Sequence, residues 1–153
     1  MRKAYKELFN SQEAGKLVHL YPKVEEAVDL LASLDIKLSI FTSSNRVTVA
    51  RDISQIGLGK FSMIVSEDDV VHKKPSGEGA IKIMDALGAK PEQTIYIGDA
   101  SIDILAARDA GCICSVVLSG MGMQSILELG KPDFIFKDLY DASTFIAKSR
   151  SPA

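Results

Sequence analysis

IYIGDASIDILAARDAG, residues 95–111, is the stretch that sets the reading of the whole chain. A run of β-formers, Ile95, Tyr96 and Ile97, stops at Gly98-Asp99, and a helical pattern opens at once and closes at Gly111. The junction puts Asp99 at the carboxyl end of a strand and Asp103 in the first turn of a helix. Two carboxylates placed there can hold a hard divalent cation through oxygen. The plain structural alternative makes Asp99 a helix cap and Asp103 a favourable first-turn charge. It carries more weight for Asp103, because Gly98 lets a ligand approach the backbone beside Asp99.

The same alternation extends in both directions. Upstream, a helix is expected over residues 3–17 and a second from Pro22, with Pro in the first turn and apolar Val24, Ala27, Val28, Leu31 and Leu34 at helical spacing. IKLSIF (36–41) and FSMIVS (61–66) read as buried strands, and Ser44 or Asn45 caps the helix between them, which runs to Gly57. A polar loop, 66–79, leads to a helix carrying Ile81, Ile83, Met84 and Leu87 and stopping at Gly88. After TIYIG (94–98), CICSVVLS (112–119) is a fourth strand, 124–129 a short helix, DFIF (133–136) a last strand, and 139–148 a closing helix. Near-continuous apolar strands alternating with helices predict an α/β fold, a parallel sheet with helices on both faces. In such sheets ligands bind beyond the carboxyl ends of the strands.

Composition excludes several classes. A 153-residue chain is one domain by length, and a net charge of -2 leaves no basic excess for nucleic acid. No apolar run is long enough to cross a bilayer, and MRKAYKELFNSQEAGK has no apolar centre to act as a secretory signal. A cytoplasmic protein is expected. The only two cysteines, Cys112 and Cys114, are expected as unbridged core residues on opposite faces of a strand.

Chemistry is therefore sought after each strand. FTSSN offers the hydroxyls of Thr42, Ser43 and Ser44 and the free N–H groups of a helix start, which suit a phosphate. In HKKPSGEG, Lys74 precedes Pro75 and is held extended, placed to give a point charge to a phosphoryl oxygen. Taken singly, a Ser/Asn-rich helix cap and a solvated loop at Lys73-Lys74 explain these stretches better than phosphate binding does. His72 is expected to be exposed decoration.

The ordered set carries more than its parts. Hydroxyl after one strand, Lys-Pro in a later loop and Gly-Asp-x-x-x-Asp after the next strand resemble the haloacid dehalogenase superfamily of phosphohydrolases, in its phosphoglycolate-phosphatase-like branch. The likeness runs from about Tyr21 to Phe145. It implies a three-layer, Rossmann-like core over 21–148, with 1–20 similar to the terminal helix of a cap and 149–153 a tail. It implies phosphate binding by Thr42, Ser43 and Lys74, a direct Mg²⁺ ligand in Asp99, and Asp103 holding the ion through water or supporting the loop. Small phosphorylated metabolites are the implied substrates. Gly77 stands where these relatives commonly place a second proline, which bears on loop rigidity.

One part of the family pattern is missing. Its nucleophile lies in an Asp-x-Asp motif at the end of the first, central strand, and no Asp-x-Asp occurs anywhere in this sequence. Upstream of residue 36 the acidic residues are Glu7, Glu13, Glu25, Glu26, Asp29 and Asp35, all on expected helices or the turn that ends one. The chain alone is therefore expected to be inactive, with no catalytic residue assigned and weakened Mg²⁺ binding. In the resemblance the missing strand lies between 36–41 and 94–98, so either these two strands pair directly or something else fills the gap. The expectation is a portion of a longer phosphatase. The alternatives are a non-catalytic phosphate-binding or interaction module, or a chain completed by a second polypeptide or a second copy in a homodimer. A response-regulator receiver is excluded by order, since its Lys-Pro follows its acidic pair. A dinucleotide site at Gly120-Met121-Gly122 has Ser125 in place of the third glycine.

Overall fold

The computed structural model describes residues 19–53, 58–120 and 131–150. Expected helices at 3–17 and 124–129, the end of the helix expected to reach Gly57, and the Gly120–Ser125 glycine turn beyond its first residue lie outside these. The described elements are α1 (Val24–Ala32), β1 (Ser39–Phe41), α2 (Arg46–Ile53), β2 (Met63–Val65), α3 (Glu78–Leu87), β3 (Ile95–Gly98), α4 (Ser101–Asp109), β4 (Ile113–Val117), β5 (Phe134–Phe136) and α5 (Leu139–Arg150), joined in places by short 3-10 turns. All strand pairs are parallel. The α/β architecture expected from the sequence is the one found.

The start of α1 differs from expectation. Pro22 lies in a turn before the helix, and Lys23, with φ of 61°, forms its N-cap. The helix still buries Ala27, Val28 and Leu31 on one face, worth about 1.5–3 kcal/mol for each of the two larger side chains. That face packs along α5. The Lys23 ammonium lies 4.6 Å from the Tyr140 ring centre, so Tyr140 ties α5 to the start of α1. Phe145 sits 5.2 and 5.3 Å from the rings of Phe134 and Phe136 and docks α5 on β5. The last helix continues to Arg150, two residues past its expected end. At α2, Asn45 is the cap, its Oδ1 accepting from Thr48 N at 2.9 Å.

The main core lies where α3 and α4 meet β3 and β4. It gathers Ala80, Met84, Tyr96, Ile104, Ala107 and Val116, with Phe41 packed against them. Cys112 and Cys114 are both free, both buried and both in this one cluster, which corrects the expectation of opposite faces. Residues two apart in an extended run share a face. Burial raises both thiols above their usual range. Among the described residues, no helix is long and apolar enough to cross a membrane.

The sheet is divided. β1 pairs with β2, and β3-β4-β5 form a second set, with no strand among the described residues on the remaining edge of β1 or of β3. Leu38 O accepts from Ser62 N and Thr42 N donates to Val65 O, so the backbone groups of Ser39 and Phe41 face away from β2. Likewise Thr94 O accepts from Ile113 N, which turns Ile95 and Ile97 to the other edge of β3. The strands at 36–41 and 94–98 thus do not pair with each other.

Candidate active site

Four strand ends and one loop build the site. Lys74 is its centre. Its Nζ donates to the carbonyl oxygen of Phe41 at 2.9 Å, on the open edge of β1, and to Asp103 Oδ1 at 2.8 Å. Both side chains of this ion pair are largely enclosed, 8 % and 10 % exposed. An ammonium has three donors, so two are used and one is left for a ligand. The bond to Phe41 O sets the lysine's charge beside the peptide that leads into Thr42.

The loop carrying Lys74 is fastened at both ends. Glu78 accepts from the backbone N–H of Val71 and of His72, at 3.0 and 2.7 Å, and pairs with Lys82 at 2.8 Å. The bond from Lys82, followed by the two backbone bonds, lowers the Glu78 carboxyl to about 2. His72 is exposed, as expected, with Nδ1 3.1 Å from Glu78 Oε2. On the far side, Asp109 Oδ2 accepts from Gly77 N at 2.7 Å. A Cβ at Gly77 would meet Ala110 N and Ala106 O at 2.6 and 2.7 Å. Glycine at this position therefore lets the loop lie directly on α4.

Asp103 is the hub. Oδ1 accepts from Lys74 and, at 3.2 Å, from the Tyr96 hydroxyl. Oδ2 accepts from Asp99 N at 3.2 Å and Ala100 N at 3.1 Å. A carboxylate at the third helical position reaching back to free N–H groups is a helix-start device, and here it also fixes the lysine. Burial, then the charge of Asp103, raises the Tyr96 phenol well above its usual range. Gly98 is required because Asp103 packs on it: a Cβ there would lie 2.2 Å from Asp103 Cβ. The close approach inferred from the sequence is real, but an internal carboxylate makes it.

Asp99 differs. Its side chain is half-buried and has no hydrogen-bond or ion-pair partner among the described residues. It is hemmed in by Gly120, where a Cβ would fall 2.0 Å from Asp99 Oδ2. The segment after β4 thus presses on this carboxylate. Among the described residues no group of three or more His, Cys, Asp or Glu is assembled to hold a metal. Mg²⁺ is commonly held by one or two carboxylates plus substrate phosphate, and Asp99 fits the role of a single such ligand. Asp103, with both oxygens taken, fits loop support.

Thr42 is half-buried and Ser43 exposed. Thr42 Oγ1 accepts from Ser44 N at 3.1 Å, which leaves its own proton to donate. Glu67 N donates to Ser44 O at 3.1 Å and Asp68 accepts from Arg46 N at 2.9 Å, so the loops after β1 and β2 are joined. Lys74, Asp103 and the Asp99 turn are brought together by direct bonds, and Thr42 joins them through the Phe41 carbonyl. Among the described residues no hydrogen bond ties the Ser43 side chain to them. Sequence reasoning missed Phe41, Tyr96 and Gly120. The first two were visible only as strand residues, and Gly120 only as part of a glycine turn.

With this geometry in hand, comparison with known proteins is specific. The family model described as haloacid dehalogenase-like hydrolase matches residues 1–117. A pyrophosphatase PpaX from Halalkalibacterium halodurans is 37 % identical over 133 residues, 86 % of this chain and 62 % of that protein. A phosphoglycolate phosphatase from Neisseria meningitidis is 34 % identical over 123 residues, 78 % of this chain and 52 % of that protein. The chain thus spans between about half and two thirds of these relatives' length. In solved structures, a hydrolase from Pseudomonas syringae superposes with a TM-score of 0.79 at 24 % identity, over 92 % of this chain and 64 % of that one, which speaks to the fold.

Proposed function

The chain belongs to the haloacid dehalogenase-like hydrolase family, and from that premise we propose that it supplies the phosphate-facing and Mg²⁺-facing part of a phosphatase for small phosphorylated metabolites. The observation that carries this reading is the enclosed Lys74–Asp103 pair beside Asp99, whose carboxylate has no hydrogen-bond or ion-pair partner among the described residues. The relatives named for pyrophosphate and phosphoglycolate indicate the size and charge of the substrate class.

In this reading each residue has one task. Lys74 gives its charge and remaining donor to a phosphoryl oxygen, and Thr42 donates its hydroxyl proton to another. Ser43 lends its hydroxyl at the entrance. Asp103 keeps Lys74 in place and supports the Asp99 turn through two backbone N–H groups. Asp99 would hold Mg²⁺, and a bound Mg²⁺ would supply charge neutralisation at the phosphoryl group. In the family pattern attack and proton transfer fall to an Asp-x-Asp pair, and no Asp-x-Asp occurs in this sequence. We therefore assign no catalytic residue here and place the nucleophile on a segment outside these 153 residues or on a partner polypeptide. The edges of β1 and β3 that have no partner strand among the described residues are where a strand bearing it would enter.

The test is titration of the chain with inorganic phosphate in the presence of Mg²⁺, followed by calorimetry or phosphorus NMR. Saturable binding that weakens about tenfold or more in Lys74→Ala, and that loses its Mg²⁺ dependence in Asp99→Asn, is expected. Binding indifferent to both substitutions would remove the reading and favour a protein-interaction module.

A further inference from the structure

The Lys74 ammonium lies 4.6 Å from the ring centre of Phe41 and 5.4 Å from that of Tyr96. The two rings stand edge to face, 6.3 Å apart with an 85° angle between their planes. Both distances fall within the range over which a ring quadrupole attracts a cation. Phe41 is itself held, since α3 passes so close that a Cβ on Gly79 would strike its ring. Tyr96 is held by its hydroxyl bond to Asp103.

From this arrangement we propose that Phe41 and Tyr96 are positioning residues, an aromatic collar that fixes the Lys74 ammonium so that its third donor meets an incoming phosphate. The proposal rests on the reading of Lys74 as the phosphate-binding lysine and adds what holds it. A flexible four-carbon stem does not fix a point charge. One carboxylate and one carbonyl restrain it through hydrogen bonds, and two ring faces attract it without adding negative charge. A second carboxylate would hold the ammonium as well but would repel the phosphate. The collar fixes the lysine while leaving its charge for the ligand.

The experiment uses the labelled full chain, the wild type beside Phe41→Leu and Tyr96→Phe, with Tyr96→Leu as a further variant should Phe41→Leu fail to fold. Two quantities are read: the proton shifts of the Lys74 ε-methylene, which ring faces move upfield, and the dissociation constant for inorganic phosphate. The expected result is a Lys74 methylene well upfield of the other lysines in the wild type. Phe41→Leu should reduce that displacement and weaken phosphate binding about three- to tenfold, with the remaining amide spectrum preserved. Tyr96→Phe keeps the ring and should keep the displacement. Wild-type Lys74 resonances that coincide with those of exposed lysines would overturn the collar. So would a Phe41→Leu chain that loses the displacement yet binds phosphate like the wild type. A displaced methylene in a chain that binds no phosphate would count against the phosphate reading and not against the collar, so the two failures are distinct.

Discussion

Asp103 accepts from Lys74, from the Tyr96 hydroxyl and from two backbone N–H groups, whereas the Asp99 carboxylate has no such partner among the described residues. The two carboxylates should therefore answer the same substitution differently. Asp103→Asn leaves an enclosed ammonium without its counter-charge and should cost about 3 kcal/mol. Asp99→Asn should leave stability within about 0.5 kcal/mol. Urea unfolding of the two variants beside the wild type checks the contrast. Gly120→Ala offers a related test, because its new Cβ collides with the Asp99 side chain. It should cost about 1–3 kcal/mol as an overpacked contact and shift the Asp99 side-chain resonances, read by carboxyl carbon NMR. In the sequence, Asp99 and Asp103 were legible as a pair, with the helix-start reading weighted towards Asp103, but the contacts that set them apart were not legible. What separates them is contact with Lys74, twenty-nine positions away from Asp103, and with a glycine after β4. Neither leaves a trace in local spacing.

The loop from β2 to α3 is the element that decides where Lys74 stands, and its fastenings are carboxylates. Asp69 is lowered to about 2, chiefly by hydrogen bonds from the Ser66 side chain and backbone, and Glu78 to about 2, chiefly by the bond from Lys82. Carboxyls held lower in the folded state than in the unfolded chain add stability that is complete above their ordinary values. It is lost as pH falls from about 4 towards about 2. The wild type should thus lose stability across that window more steeply than Glu78→Gln, as acid titration followed by circular dichroism would show. Because Glu78 lies at the surface, the difference should shrink in high salt. Gly77→Ala tests the other end of the loop. Its Cβ would meet backbone atoms of α4, so a cost of about 1–3 kcal/mol in thermal or urea unfolding is expected. The elements themselves were largely legible. Apolar runs marked all five described strands, and Gly88 marked the end of α3, where it caps the helix with φ of 64°. Pro22 misled because a proline suits a turn before a helix as well as its first position, and only the left-handed Lys23 that follows decides between them.

At the scale of the molecule, the described strands form a pair and a triplet, and β1 and β3 carry Phe41 and Tyr96, which gather around Lys74. Alternation of strand and helix foretold the parallel architecture, and the missing Asp-x-Asp raised the question of whether β1 and β3 pair directly, which among the described residues they do not. The sequence does not reveal that a lysine would bond the exposed carbonyl at that edge, because Lys74 and Phe41 are thirty-three positions apart. If the protein in its source cells contains the missing strand, its intact mass will exceed the 16.5 kDa of this chain. The central claim, that these residues position a phosphoryl group but cannot attack it, is tested most directly by phosphate-ester hydrolysis with the purified 153-residue chain and Mg²⁺. No turnover above the uncatalysed rate is predicted. Sustained turnover by this chain alone, abolished in Asp99→Asn, would contradict the account and require a nucleophile among residues given other roles here.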